Sequence, residues 1–233
     1  PLVMLALLLV LLLVGGAVLA PLVAPHDPYD PAAVELMDAF TPPAWQPAGQ
    51  ATYPLGTDNQ GRDIFSAILF GLRTSLAVGL AAVGIALVVG VGLGLLAGLS
   101  GGVVDTLVMR AADVQMTFPA ILVALIVDGV LRSFLGGAAR AEMGLAVVIV
   151  SIAAANWVRF ARTVRASTMV ERDKDYVQAA RLLGRGRLFV ALAHVLPNVS
   201  GPIVVIATVD LGVAILQEAT LSFLGVGMPP DQP

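Results

Sequence analysis

The sequence predicts an all-α polytopic membrane protein, a bundle of apolar helices with one long basic segment between two of them. Of the 233 residues, 58% are hydrophobic and only 12% are charged, whereas a soluble domain carries about 25% charged residues. The mean hydropathy is +0.91, and the apolar residues gather in long runs that we divide into five predicted spans. These observations place the chain in the membrane class.

The first span is predicted at 2–23, inside a first segment at 1–24. The run has no charged residue, and at about 1.5 Å per residue it is long enough to cross a hydrocarbon core of roughly 30 Å. A secretory signal peptide is the alternative, but its apolar region is about 7–15 residues long. We therefore expect an uncleaved span.

An extracytoplasmic loop is predicted at 25–70, where acidic residues outnumber Arg62, the one basic residue between His26 and Phe65. Loops poor in lysine and arginine face outward by the positive-inside rule. Gly56 to Asp63 loosely resembles a calcium loop, but a glutamine and an arginine occupy ligand positions. We favour a turn in which Asp63 caps the next helix.

The second span is predicted at 74–99, with glycines at every fourth position. Gly90, Gly94 and Gly98 form one stripe of small residues, along which another helix can approach closely. Glycine is also simply common in membrane helices. Because all three glycines keep the same four-residue spacing, we favour a helix-packing face.

The third span is predicted at 103–127, antiparallel to the second because the connection is short. Its first half has one polar face, formed by Thr106, Arg110, Asp113 and Thr117. We expect Arg110 to pair with Asp113, and the alternative is that these side chains contact a substrate. Pro119 is predicted to kink the helix after Phe118.

A short loop at 128–142 leads to the fourth span at 143–158, and the fifth span follows at 199–224. The fifth span contains Asp210 and Glu218. Ionisable residues inside a span usually face the bundle or an aqueous path. Together with Asp113, these two acids are therefore candidates for a path or gate.

The basic segment at 159–197 lies between the last two spans and contains eight of the thirteen basic residues: Arg159, Arg162, Arg165, Arg172, Lys174, Arg181, Arg185 and Arg187. By the positive-inside rule the segment is cytoplasmic. We expect its first three arginines to act mainly by holding the segment on the cytoplasmic side of the membrane. It predicts a short helix at 175–184 closed by Gly184, then a second at 187–195 stopped by Pro197. Such a pair of short helices suits docking to a cytoplasmic partner.

The basic segment resembles the signature of ABC importer permeases, Glu-Ala-Ala followed at fixed spacing by Gly and Ile-x-Leu-Pro. Here Gln178-Ala179-Ala180, Gly184 and His194-Val195-Leu196-Pro197 stand at that spacing, with glutamine for glutamate and histidine for isoleucine. With the histidine at this position, the motif resembles that of the dipeptide/oligopeptide/nickel branch of the family. The outward loop that precedes the matching pieces makes the chain resemble the second of the two paralogous permeases in such systems. Further matching pieces lie in order at 54–58, 61–63, 101–105, 118–119 and 218–225.

The resemblance implies a type I ABC importer permease with a core domain at 71–233, a cytoplasmic coupling loop at 159–197 and a sixth span beyond Pro233. It implies the plasma (inner) membrane of a prokaryote, a paralogous permease partner, two cytoplasmic ABC ATPases that bind ATP and Mg, and an external solute-binding protein. Short peptides are the expected cargo, while nickel chelates and glutathione share the branch. The residues implied in ATPase coupling are Tyr176, Gln178, Ala179, Ala180, Leu183, Gly184, His194, Leu196 and Pro197.

We expect no chemistry, cofactor or metal site in this chain itself. It has no cysteine, its only lysine, Lys174, is outside any P-loop pattern, and its two histidines, His26 and His194, are far apart. One alternative is a secondary transporter that relays protons through Asp113, Asp210 or Glu218. A membrane enzyme is a weaker alternative, because Ser151, Ser200 and Ser222 have no plausible base nearby.

Overall fold

The computed structural model describes residues 2–30, 36–135 and 143–226. These ranges are mainly helical and contain no extended strand, which confirms the all-α class. Besides a short 3₁₀ turn at Leu36–Asp38, the helices are α1 (Leu2–Val23), α2 (Ile64–Ser100), α3 (Gly102–Met116), α4 (Ala120–Phe134), α5 (Gly144–Glu171), α6 (Asp175–Leu182), α7 (Arg187–Val190), α8 (Leu196–Asn198) and α9 (Ser200–Phe223). Within these ranges, four helical stretches are long and apolar enough to cross a membrane. The bent pair α3–α4 makes a fifth if it is one span.

The chain divides into two compact units between Ala77 and Val78. In the first unit, α1 exposes most of its apolar side chains, as a helix in contact with lipid does. The Asp63 carboxylate accepts hydrogen bonds from the Ser66 N–H at 3.0 Å and the Ser66 hydroxyl at 2.5 Å. This N-cap starts α2 at Ile64, ten residues before the predicted start of the second span.

The second unit is built around the close approach of α2 and α5. A Cβ atom added to Gly90 would lie 2.5 Å from the Trp157 carbonyl oxygen. At Gly98 it would lie 2.7 Å from the Thr168 Cβ. The glycine stripe therefore lies directly against the α5 backbone, where a larger side chain has no room.

The chain turns sharply between α3 and α4, whose axes differ by 99°. The predicted kink at Pro119 is therefore confirmed, and the turn is much larger than a kink. Proline disfavours the helical conformation of the residue before it, so α3 ends at Met116 and Pro119 becomes the N-cap of α4.

The predicted start of the loop at 128–142 is wrong, because the helix before it continues. α4 extends to Phe134, so Asp128 lies inside a helix and pairs with Arg132 at 2.7 Å instead of opening a loop. The helix that contains the predicted fourth span, α5, continues beyond residue 158 to Glu171, since no glycine or proline interrupts it after Gly144. The first part of the basic segment is therefore helical. Residues 136–142 of the predicted outer loop lie outside the described ranges.

Candidate functional site

The middle of the basic segment forms the predicted short helix, α6, which ends at Leu182. Gly184 has a φ of 77°, a left-handed conformation that favours glycine. The Arg185 N–H then reaches back to the Ala180 carbonyl oxygen at 3.1 Å, and the Gly184 N–H to that of Arg181 at 3.0 Å. These bonds satisfy carbonyl groups at the helix end, as a glycine C-cap does.

α6 has one face turned into the chain and one face turned away. Val177 is fully buried and Ala180 is 6% exposed, and both pack in a cluster with Val190 and Val195. The outer face exposes Gln178, Ala179, Leu182 and Leu183. Ala180 therefore packs α6 onto its own chain, and the side chains open to a partner are those of the outer face.

Tyr176 joins the start of α6 to the end of α5. Its hydroxyl donates a hydrogen bond to the buried Glu171 carboxylate, which Lys174 also approaches at 3.2 Å. Desolvation of the hydroxyl and its bond to Glu171 raise the pKa of Tyr176 to about 12. The hydroxyl therefore remains a proton donor at neutral pH and helps to hold α6 against α5.

Replacing Tyr176 by phenylalanine is expected to loosen α6 by about 1 kcal/mol, the usual net contribution of such a hydrogen bond. Amide hydrogen exchange of the α6 backbone in the purified protein would measure this as roughly fivefold faster exchange. Tyr29→Phe, in the loop before α2, is the matched control and should leave α6 unchanged. Unaltered exchange of α6 in Tyr176→Phe would show that the hydroxyl does not hold the helix.

Pro197 does not stop the second helical run, contrary to the prediction. After α7, residues Ala191–Val195 form a π-helical turn, and Pro197 lies inside the first turn of α8. The proline has no N–H to donate, and a first-turn position needs none. The His194 ring packs edge-on against Tyr176 and Phe189, while Leu196 is half-buried beside the same cluster as Val177.

Three arginines of α5 form an ion-pair ladder to neighbouring helices. Arg159 donates to Asp210 of α9 at 2.6 Å. Arg165 donates two hydrogen bonds to the Asp105 carboxylate of α3, and the bond from Nη2 to Oδ2 is 2.6 Å long. Arg162, which lies about one helical turn from both Arg159 and Arg165, binds Asp113 of α3. The predicted Arg110–Asp113 pair is therefore wrong, and Arg110 is exposed.

The three candidate path acids occupy different settings. Asp210 is 1% exposed, whereas the Asp113 side chain is 54% exposed. Glu218 is half-buried and accepts a hydrogen bond from Ser222 at 2.9 Å. Asp113 and Asp210 bind arginines that lie one turn apart on α5. Glu218 lies eight residues after Asp210 on α9, which is a distance of roughly 12 Å along the helix. The structure thus brings two of the three acids to one helix, each already bound to an arginine.

Two polar contacts inside the bundle have no counterpart in the sequence analysis. Asn156 donates to Gln217 at 2.7 Å, and both side chains are buried between α5 and α9. Gln115 of α3 accepts from the Trp157 indole at 2.9 Å and donates to the Ala154 carbonyl oxygen at 2.8 Å. The sequence did contain a signal for such contacts, namely an amide side chain inside a membrane helix, because a buried amide needs a hydrogen-bond partner.

Comparison with known proteins finds a match to one family and to several curated relatives. The family described as binding-protein-dependent transport system inner membrane component matches residues 90–233. The chain is 41% identical to the di/tripeptide transport system permease protein DppC of Pseudomonas aeruginosa, over 97% of this chain and 71% of the relative. It is 38% identical to the nickel transport system permease protein NikC of Escherichia coli, over 86% of this chain and 67% of that relative. The family match includes the whole basic segment.

Proposed function

Since the chain belongs to the binding-protein-dependent transport system inner membrane component family, we propose that it is the permease subunit of an ATP-driven importer whose α6 docks on a cytoplasmic ATPase. The observation that supports this role is the two-sided packing of α6. Its inner face is anchored through Val177 and Ala180, while its outer face exposes Leu182 and Leu183. An apolar helix face of this kind suits a groove on a partner protein.

The anchoring of α6 provides a route by which docking acts on the spans. Val177 shares its cluster with Val91 of α2, Val164 of α5 and Ile203 of α9. Tyr176 adds a direct bond to the end of α5. A displacement of α6 by an ATPase therefore pushes on packed helices and not on a flexible linker, as coupling requires.

We propose short peptides as the cargo, because two relatives that match nearly the whole chain are named for transport of di/tripeptides and of dipeptides. The same assignment gives the chain a paralogous permease partner, two ATPase subunits that hold ATP and Mg, and an external binding protein. It places 159–197 in the cytoplasm and 25–70 outside. In this assignment the chain forms half of a translocation path and performs no hydrolysis itself.

Replacing Leu183 by aspartate tests the docking proposal. Leu183 is 80% exposed, so the variant should fold and insert normally while it places a charge in the apolar contact with the ATPase. We expect about 30-fold weaker association, the effect of losing an interface hot spot. Co-purification of the ATPase subunits and peptide uptake should then fall together.

Met37→Asp is the matched control, because Met37 is 93% exposed and lies in the loop proposed to face outward. It should leave both ATPase co-purification and uptake intact. Ala180→Arg should instead reduce the amount of folded protein, since it forces a charge into the cluster around Val177. Uptake that persists in Leu183→Asp without bound ATPase would contradict the proposal and favour proton relay through Asp113, Asp210 or Glu218.

A further inference from the structure

Three arginines from α6, α7 and the turn between them surround one open cavity. Arg181, Arg185 and Arg187 line a space of about 230 Å³ together with Leu99 and Val190. That is roughly the volume of eight liquid water molecules. The cavity is therefore large enough for a phosphate group and the atoms attached to it.

The positive charge around this cavity is not balanced within the described part of the chain. Six other arginines there each bind a carboxylate: Arg62, Arg132, Arg159, Arg162, Arg165 and Arg172. Arg181, Arg185 and Arg187 have no carboxylate within 4.0 Å in the described residues. Like charges that share one cavity repel each other, so an anion between them is favoured.

One of the three guanidinium groups is held in place by an aromatic ring. The Arg185 guanidinium carbon lies 4.8 Å from the centroid of the Phe189 ring. This cation–π contact orients the group but leaves its charge and its hydrogen-bond donors available. The planar fork of a guanidinium matches the oxygen atoms of a phosphate, which accept two parallel hydrogen bonds from it.

The cavity lies at the end of a membrane-crossing helix. Leu99 belongs to the last turn of α2, whose stretch from Thr74 to Ser100 contains no charged residue. At about 1.5 Å per residue this stretch is roughly 40 Å long, while the hydrocarbon core is roughly 30 Å thick. The end of α2 therefore reaches the level of the lipid headgroups.

We propose that this cavity binds the phosphate of an anionic lipid from the cytoplasmic leaflet. The three arginines bind the phosphate oxygens, and the apolar Leu99 and Val190 contact the carbon atoms next to it. Basic clusters at this level of a membrane attract anionic headgroups. The proposal rests on the membrane topology proposed above, but it does not depend on the docking of α6 to an ATPase.

The test titrates phosphatidylglycerol onto the assembled transporter in detergent and counts bound lipid by native mass spectrometry. In the double variant Arg185→Gln/Arg187→Gln, the half-saturating lipid concentration should rise about 30-fold, at roughly fivefold for each arginine removed. Arg73→Gln/Arg110→Gln is the matched control, because both arginines are exposed and form no ion pair in the described residues. That control should bind phosphatidylglycerol like the wild type, and phosphatidylcholine should not compete.

Three outcomes would overturn the proposal. The first is an equal half-saturating concentration in the wild type and in Arg185→Gln/Arg187→Gln. The second is displacement of phosphatidylglycerol by millimolar inorganic phosphate, which would assign the cavity to a soluble anion. The third is unchanged lipid binding together with loss of ATPase co-purification, which would assign the arginines to acidic side chains of the ATPase. Because co-purification is measured separately, failure of lipid binding leaves the docking proposal standing.

Discussion

Gly94→Leu is expected to destabilise the protein by about 3 kcal/mol, the upper part of the usual range for overpacking a core. A Cβ atom at this position would lie 2.7 Å from the Ala161 carbonyl oxygen and 2.8 Å from the Val164 Cβ. Because one of these contacts is backbone, a change of side-chain rotamer cannot relieve it. Either α2 and α5 separate or the variant fails to pack.

The measurement is the thermal unfolding midpoint of the purified variant, with its level in the membrane as a second readout. Gly92→Leu is the matched control, since Gly92 is exposed on the same helix and an added Cβ there meets nothing within 4 Å. Leucine also favours the helix more than glycine does. Equal stability of the two variants would contradict the close contact between α2 and α5.

Arg159→Gln is expected to cost about 3 kcal/mol or more, because it leaves a buried carboxylate without its charged partner. Asp210 is 1% exposed, and Arg159 binds its Oδ1 atom at 2.6 Å. The other oxygen, Oδ2, is buried without a hydrogen-bond partner in the described residues. The expected result is a lower unfolding midpoint and loss of the assembled transporter from the membrane.

Arg162→Gln is the comparison for this prediction, one turn further along α5. Its partner Asp113 has a side chain that is 54% exposed, so the loss should be at most about 1 kcal/mol, as for other exposed ion pairs. Adding Asp210→Asn to Arg159→Gln should recover most of the stability, because the buried charge is then removed. Equal losses in the two arginine variants, or no recovery in the double variant, would contradict the role of burial.

The basic segment shows how far local sequence information extends. The short helix α6 and its glycine cap were predicted, because the left-handed conformation of Gly184 and the helix before it depend on neighbouring residues. The orientation of α6 was not predictable from Ala179 and Ala180, which are chemically identical. Only packing against Val190 and Val195 turns Ala180 inward and leaves Ala179 exposed.

The sequence by itself determined the all-α class, the apolar runs long enough to cross a membrane, a break in the helix at Pro119 and the family, whereas the size of the turn between α3 and α4 came from the structure. These follow from hydropathy, from backbone restrictions and from a motif read along the chain. Only the tertiary structure decided which charges meet. Arg159, Arg162 and Arg165 look like topological signals in the sequence, but they bind acids that are 49 to 60 positions away along the chain. The predicted pair of Arg110 with Asp113, which lie close together in the sequence, was wrong because Asp113 instead binds an arginine of another helix. Which charges can meet depends on how the helices are positioned side by side, and packing such as the fit of Gly94 against α5 sets those positions.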